Sequence, residues 1–341
     1  MESGKVSENI LKRSVLGQLK TKREEVLCGA AVGGDCAIFT IPQDENLVLC
    51  VQEAAVAMQS ETENPLSYAF VTMEHLIYKC ANNLAAGGAG PVAVQIGLIM
   101  PESMTEADLR TLMGQAESAC SQLSMQIAGG QTLVSKAVNS PLAVVTGYGR
   151  VASKGYKAAG AVKPGQDIVV SKWIGLEGTA VLSQKFREGL LTRYPARLVD
   201  EAADFGRYLS VLPEAAIAVK SGVCGMHDAS KGGIFGALWE MAEGAGVGLK
   251  IDIRKLPLRQ ETIEVCEYCN VNPYELLAGG SLVMITKDGE ALAAALEAEG
   301  IPGTVVGRTT EGKDRILMNE GEVRYMDRPR GDELYRRLKE G

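Results

Sequence analysis

The chain has 341 residues, 46% hydrophobic and 23% charged, with 39 glycines and only 5% aromatics. That length suits two ordinary domains, and the composition is that of a soluble globular α/β protein rich in tight turns. A formal net charge of -7 speaks against nucleic acid or an anionic membrane as the main partner.

No run approaches the roughly 18 uninterrupted apolar residues of a membrane span, and the first residues lack a signal-peptide core, so a cytoplasmic location is expected. The eight cysteines are scattered and expected to stay reduced. Only Cys266 and Cys269 have metal or redox spacing. They fall on the inner face of an amphipathic helical stretch and read as small core residues.

Residues 8–20 read as a short helix carrying Ile10, Leu11, Val15, Leu16 and Leu19. Gly33 and Gly34 form a turn into a strand, and residues 46–51 form a second strand ending at Gln52 and Glu53. Asn64 is placed as the cap of a helix with Pro65 in its first turn. Its apolar stripe runs through Leu66, Ala69, Phe70, Met73, Leu76, Ile77, Cys80 and Leu84, which leaves His75 toward the surface.

Residues 80–91, Cys-Ala-Asn-Asn-Leu-Ala-Ala-Gly-Gly-Ala-Gly-Pro, are the hinge of the chain. Glycine and proline would stop the helix there, and Asn82 and Asn83 are placed to aim amides into a cleft. A strand over 92–100 follows, then the capping-box spacing of Ser103 and Glu106 and a helix with Leu109, Leu112, Met113, Ala116, Cys120 and Leu123 inward. Gly129, Gly130, Gln131 and Thr132 read as a glycine-flanked polar tip before a strand over 142–147. The three polar tips, at Asp35, Asn82–Asn83 and Gln131, would form the functional rim of an α/β scaffold.

The Gly-, Ala- and Lys-rich residues 154–163 mark the crossing between domains, taken as 1–152 and 153–341. Strands are expected over 167–171, 249–253, 281–286 and 304–306, with helices from Gly175, over 196–207, 213–219, 234–245 and 290–299. Asp228 is read as the N-cap of the helix at 234. Gly232 and Gly233 there would let the backbone approach an anion, although an ordinary capped helix explains the same residues.

The order of these motifs resembles the aminoimidazole ribonucleotide synthetase superfamily, in particular its hydrogenase-maturation-factor branch. The matching stretches are Gly4-Lys5, Gly33-Gly34-Asp35-Cys36-Ala37, residues 81–89, Gly129-Gly130-Gln131-Thr132, Lys163-Pro164-Gly165, residues 226–248 and the tail Asp332-Glu333-Leu334-Tyr335. The resemblance implies a two-domain α/β (α+β) fold in a homodimer whose N-terminal strands close a barrel with a second subunit. It also implies ATP bound near that barrel, with Mg²⁺ on its phosphates and transfer of the γ-phosphoryl group to a substrate oxygen.

On that resemblance Asp35 and Glu53 would hold Mg²⁺, assisted by Asn82, Asn83 and Gln131. Gly129, Gly130, Thr132, Asp228, Lys231, Gly232 and Gly233 would line the nucleotide. The family's acids are softened here: Gly34 precedes Asp35, and Asn83 and Gln131 stand where acids are usual, so Mg²⁺ affinity should fall. The branch ends in a cysteine that accepts a carbamoyl group, whereas no cysteine follows Cys269 in this sequence. Carbamoyl transfer to its own terminal thiol is therefore not expected of this chain alone. Two readings stay open: an ATP-dependent phosphoryl-transfer enzyme with a thinned metal site, and a non-catalytic dimeric scaffold or regulator.

Overall fold

The computed structural model describes residues 4–5, 7–31, 37–57, 71–153, 161–328 and 331–339. The expected turn at Gly33, Gly34 and Asp35, the Asn64 cap with Pro65, Leu66, Ala69 and Phe70, and most of the linker lie outside them. The chain divides into one unit of residues 1–84 and 89–156, and another of 85–88 and 157–341. The fold is mixed α/β in both.

The first unit opens with β1 (Gly4–Lys5) and α1 (Glu8–Ile10), which continues as a π-helical stretch over Leu11–Leu16. The helix ends four residues earlier than the expected 20, at Gly17, whose N–H donates to the Lys12 carbonyl. A small hairpin follows, β2 (Val26–Cys28) and β3 (Ile38–Phe39), then β4 (Glu45–Ala55). Strand β4 outruns its expected end, so Glu53 lies within the strand.

Helix α2 is Met73–Ala86. It does not extend back through residues 71 and 72. Val71 forms a bridge with Val56, and the Thr72 hydroxyl accepts the His75 N–H at 3.2 Å. A β-branched hydroxyl residue at this position caps the helix better than it continues it. His75 itself is half-buried. At the other end the expected glycine stop is present. Gly88, at φ 83°, donates to Ala85 and Ala89 donates to Leu84, the paired bonds of a Schellman ending.

Strand β5 (Gly90–Met100), α3 (Glu106–Gln122), β6 (Gln126–Val134) and β7 (Leu142–Ala152) complete the unit. The box that opens α3 is Thr105 with Asp108, two residues on from the expected pair. Glu106 is drawn away instead, to Arg13 at 2.6 Å and the Ser14 hydroxyl at 2.7 Å. The five strands pair in the order β1-β6-β5-β7-β4 as an open sheet. In the apolar stripes of α2 and α3, Met73, Leu76, Ile77, Cys80, Leu84, Leu109, Leu112, Met113, Ala116 and Cys120 are buried, while Leu123, just past the end of α3, is only half-buried.

The second unit holds a seven-stranded sheet in the order β14-β13-β10-β12-β8-β11-β9. These strands are β8 (Asp167–Ser171), β9 (Gly225–Ala229), β10 (Gly248–Asp252), β11 (Ser281–Thr286), β12 (Gly303–Thr310), β13 (Arg315–Asn319) and β14 (Glu322–Tyr325). All neighbours are antiparallel except β10 with β13. Strands β8 and β11 are buried along their whole length, as their unbroken apolar runs require.

The helices are α4 (Leu176–Lys185), α5 (Arg187–Arg193), α6 (Ala196–Ala203), α7 (Leu212–Lys220), α8 (Gly233–Ala245), α9 (Gln260–Cys269), α10 (Gly289–Glu297) and α11 (Glu333–Lys339). Cys266 and Cys269 are buried on α9, as their spacing on its inner face implies. Val170, Ile174, Ile234, Leu238, Leu249, Ile251 and Val283 share one core, while Val169, Val211, Ala215, Leu282, Met284 and Leu292 share another.

Several charged side chains are buried in this unit. Lys172, at φ 53° just past β8, sends its ammonium to Glu214 Oε1 at 2.6 Å and to the carbonyls of Tyr208 at 2.9 Å and Ser210 at 2.6 Å. All three of its donors are thereby used. Burial lowers the Lys172 pKa while Glu214 opposes that shift. Lys172→Met is expected to destabilise the fold by about 3–5 kcal/mol, because it strands the Glu214 carboxylate. The double variant Lys172→Met/Glu214→Leu should recover most of that loss in urea titrations, and equal losses in both would refute the pairing.

A second buried group, Asp332, accepts from the N–H groups of Gly232 at 2.8 Å, Leu334 at 2.9 Å and Leu277 at 3.3 Å. Burial outweighs these bonds and raises its pKa from 3.8 to about 6, Glu177 nearby adding to the rise. Between about pH 4 and 6 the folded chain then holds a proton that the unfolded chain has released, so stability from this group falls as pH rises through that window. The stability of the wild type relative to Asp332→Asn is accordingly expected to drop by about 2–3 kcal/mol from pH 4 to 7. Paired denaturant titrations that give a constant difference would contradict it.

Candidate functional site

Strand register decides which polar groups of the first unit share a face. Glu53 on β4 stands opposite Val144, Val144 opposite Gly97, and Gly97 opposite Gln131 on β6. One transverse row therefore carries Glu53 at one end and Gln131 at the other, both exposed. The next row reads Val51, Thr146, Gln95 and Gly129. Tyr148 on the same face donates its hydroxyl to Gln95 at 2.8 Å and stacks on Phe39 of the β2–β3 hairpin at 4.9 Å. Arg150, one row further, bridges Glu25 at 2.7 Å and Glu45 at 3.2 Å. Its neighbour Arg23 and then Arg150 hold the Glu25 carboxyl down at about 2.

The residues Gly129 to Thr132 are not a tip. They run through the middle of β6, and Ala128 is the reason they face as they do. Val94 pairs with Ile127 and Gln95 with Gly129, so Ala128 is an extra residue in the ladder. This bulge reverses the alternation after it and turns Gln131 to the exposed face. Thr132, one residue on, points to the opposite face and is buried. Gly130 has no room for a side chain, since a Cβ there would sit 2.0 Å from the Ile96 carbonyl oxygen.

Glu53 and Gln131 are three strand spacings apart, about 14 Å. Ligands of one Mg²⁺ stand near 2.0–2.1 Å from it, so these two do not share an ion. Asn82 and Asn83 lie in the last turns of α2, Asn82 buried and Asn83 half-buried. Asp35 lies outside the described residues. Among the described residues no three His, Cys, Asp or Glu side chains form a cluster able to hold a metal.

In the second unit, Asp228 occupies the end of β9 and is 5% exposed. It does not cap α8. The cap position belongs to Gly232, which has no side chain to offer, and the Asp332 carboxylate takes its N–H. Gly232 and Gly233 have φ of 80° and 66°, open chiefly to glycine. A Cβ on Gly233 would also meet the Tyr274 carbonyl oxygen at 2.5 Å. Lys231 is exposed. His227 is held by Glu240 at 3.0 Å, which lowers the Glu240 pKa. Asp228 instead acts on Lys172, favouring its charged form.

Sequence reading missed Gln95, Tyr148, Lys172 and the capping role of Asp332. Gln95 carried a signal: it is the one polar side chain in residues 92–100. The tie of Asp332 to Gly232 and Leu277 carried none, since those partners lie 100 and 55 residues away along the chain.

Residues 33–151 match the family described as AIR synthase related protein, N-terminal domain, and residues 163–318 match its C-terminal domain. Carbamoyl dehydratase HypE of Rhodobacter capsulatus is 30% identical over 264 residues, covering 75% of each chain. A hydrogenase expression/formation protein of Methanocaldococcus jannaschii is 26% identical over 340 residues, covering 98% of this chain and 96% of that one. The crystal structure of hydrogenase maturation protein HypE in complex with ATP superposes with a TM-score of 0.76 at 17% identity, over 97% of this chain and 96% of that one. The chain belongs to the AIR synthase related family and is of the HypE-like, hydrogenase-maturation type.

Proposed function

We propose that this chain binds ATP and passes its terminal phosphoryl group to a substrate oxygen, with a divalent-cation site weaker than a full carboxylate set would give. The observation that carries this reading is the shared row of Glu53 and Gln131, with Gln95 beside it, on one exposed sheet face. A face of this kind offers oxygens spread over a length that suits a phosphate chain better than a single ion. The HypE structure solved with ATP supports it, because the same fold is present here over nearly the whole chain.

In this reading Asp35 and Glu53 hold Mg²⁺, with Asn82 and Asn83 adding neutral oxygens, while Gln131 meets the phosphate chain at the far end of the row. Gly129, Gly130 and Thr132 shape the adjoining strand. Asp228, Lys231, Gly232 and Gly233 serve the nucleotide from the glycine turn. Bound Mg²⁺ would neutralise phosphate charge, and amides coordinate it without offsetting that charge. Phosphoryl transfer depends mostly on positioning and charge stabilisation, so the lack of an obvious general base does not count against it.

The exposed Leu47, Leu49, Val51 and Val144 favour one further point. They lie on the same sheet face and suit contact with a second copy, as in the family's shared barrel. A dimer that has lost turnover would keep this stripe and tolerate the amides.

Isothermal titration separates the two readings. ATP is expected to bind only with Mg²⁺ and to be hydrolysed, Glu53→Gln weakening the Mg²⁺-dependent affinity about tenfold and Asp35→Asn abolishing both. Metal-independent binding, or none, favours the scaffold. Solution scattering should return about twice the 36.2 kDa chain mass, and a monomer would count against the shared barrel.

A further inference from the structure

The first unit holds a thiol pair that its proposed function does not use. Cys50 of β4 and Cys80 of α2 have their sulfurs 3.4 Å apart. The Cys50 thiol also lies 3.3 Å from the Cys80 carbonyl oxygen. Both sulfurs occupy the space that Gly147 leaves open. A Cβ at residue 147 would come within 2.4 Å of Cys80 Sγ and 3.0 Å of Cys50 Sγ. Closing a disulfide from this arrangement needs an approach of about 1.4 Å. Cys50 pairs with Gly147 in the sheet, so the two thiols meet where strand and helix are packed.

The two sulfurs are not equivalent. Cys80 is fully buried and Cys50 is partly exposed. The hydrogen bond from Cys80, helped by the Gly147 backbone, lowers the Cys50 pKa against its burial. The same bond and burial raise Cys80. Access and thiolate character therefore fall on the same residue.

We propose that Cys50 and Cys80 are an oxidisable dithiol, a modification site that closes into an intramolecular disulfide on exchange with a small disulfide oxidant. The Cys50 thiolate attacks one sulfur of the oxidant RSSR, forming Cys50–S–S–R and releasing RS⁻. Cys80, after losing its proton, attacks the Cys50 sulfur and releases the second RS⁻. Two protein thiols are oxidised and RSSR is reduced to two RSH. The product ties the strand bearing Glu53 to the helix bearing Asn82 and Asn83, and it does so whether or not ATP binds there.

The test uses the full chain, incubated with glutathione disulfide and analysed by intact mass and peptide mapping. A loss of about 2 Da, reversed by dithiothreitol, and a crosslinked Cys50–Cys80 peptide are expected. Cys50→Ser and Cys80→Ser should each abolish that peptide. The oxidised form should melt about 5–10 °C higher, from loop closure in the unfolded chain. A stable glutathione adduct on Cys50, a Cys80–Cys120 bond, or unmodified thiols would each overturn the proposal. If a serine variant fails to fold, the wild-type peptide map decides alone.

Discussion

Backbone pairing between β5 and β6 governs which residues of β6 the first unit presents on its exposed sheet face. Because side chains alternate along a strand, one inserted residue exchanges the two faces of everything beyond it. Ala128 is that residue, and Gly130 keeps it in place by letting the Ile96 carbonyl come close where any Cβ would collide. A slip that absorbed the bulge would bury Gln131 and expose Thr132. The exposed row from Glu53 to Gln131 would then cease to exist. Its chemistry thus rests on a pinch between two backbones.

The second unit solves a different problem, the cost of charge away from water. Lys172 and Asp332 are both buried, and each has three donors or acceptors matched to it. Such groups are tolerable only when fully satisfied. The geometry they impose is specific. Lys172 fixes the entry to α7 against the end of β8, and Asp332 fixes the start of α8 against the 277 loop and α11. The glycine turn after Asp228 is consequently held from the C-terminal side of the sequence, one hundred residues away in the chain.

What could be read from the sequence follows from the range of the forces involved. Strands β8 and β11 and the Schellman stop of α2 were legible at their true positions, since unbroken apolar runs and Gly87-Gly88 act locally. The cap at Thr105 was misplaced by two residues because Ser103 offered the same chemistry and Arg13 had not yet claimed Glu106. Gly129 to Thr132 looked like a tip because two glycines usually break a strand. Here they serve close strand contact, which only the partner strand reveals. Asp228 looked like a cap because its true rival, Asp332, was invisible at that distance. The family resemblance reached further than local patterns, placing the whole chain while leaving the contribution of each amide open.

Burial separates those amides into two kinds. Asn82 is 1% exposed, and an aspartate there would need a cation simply to remain ionised in the folded chain. Neutrality at residue 82 is therefore what packing asks for. Asn83 is half-buried and Gln131 exposed, where a carboxylate would carry little desolvation cost. Nothing in the fold requires those two to be uncharged. At Gln131, neutrality removes negative potential from the exposed sheet face while leaving an oxygen that accepts hydrogen bonds. The packing of the unit and the charge of its exposed sheet face are thus set by different residues, and either can change without the other.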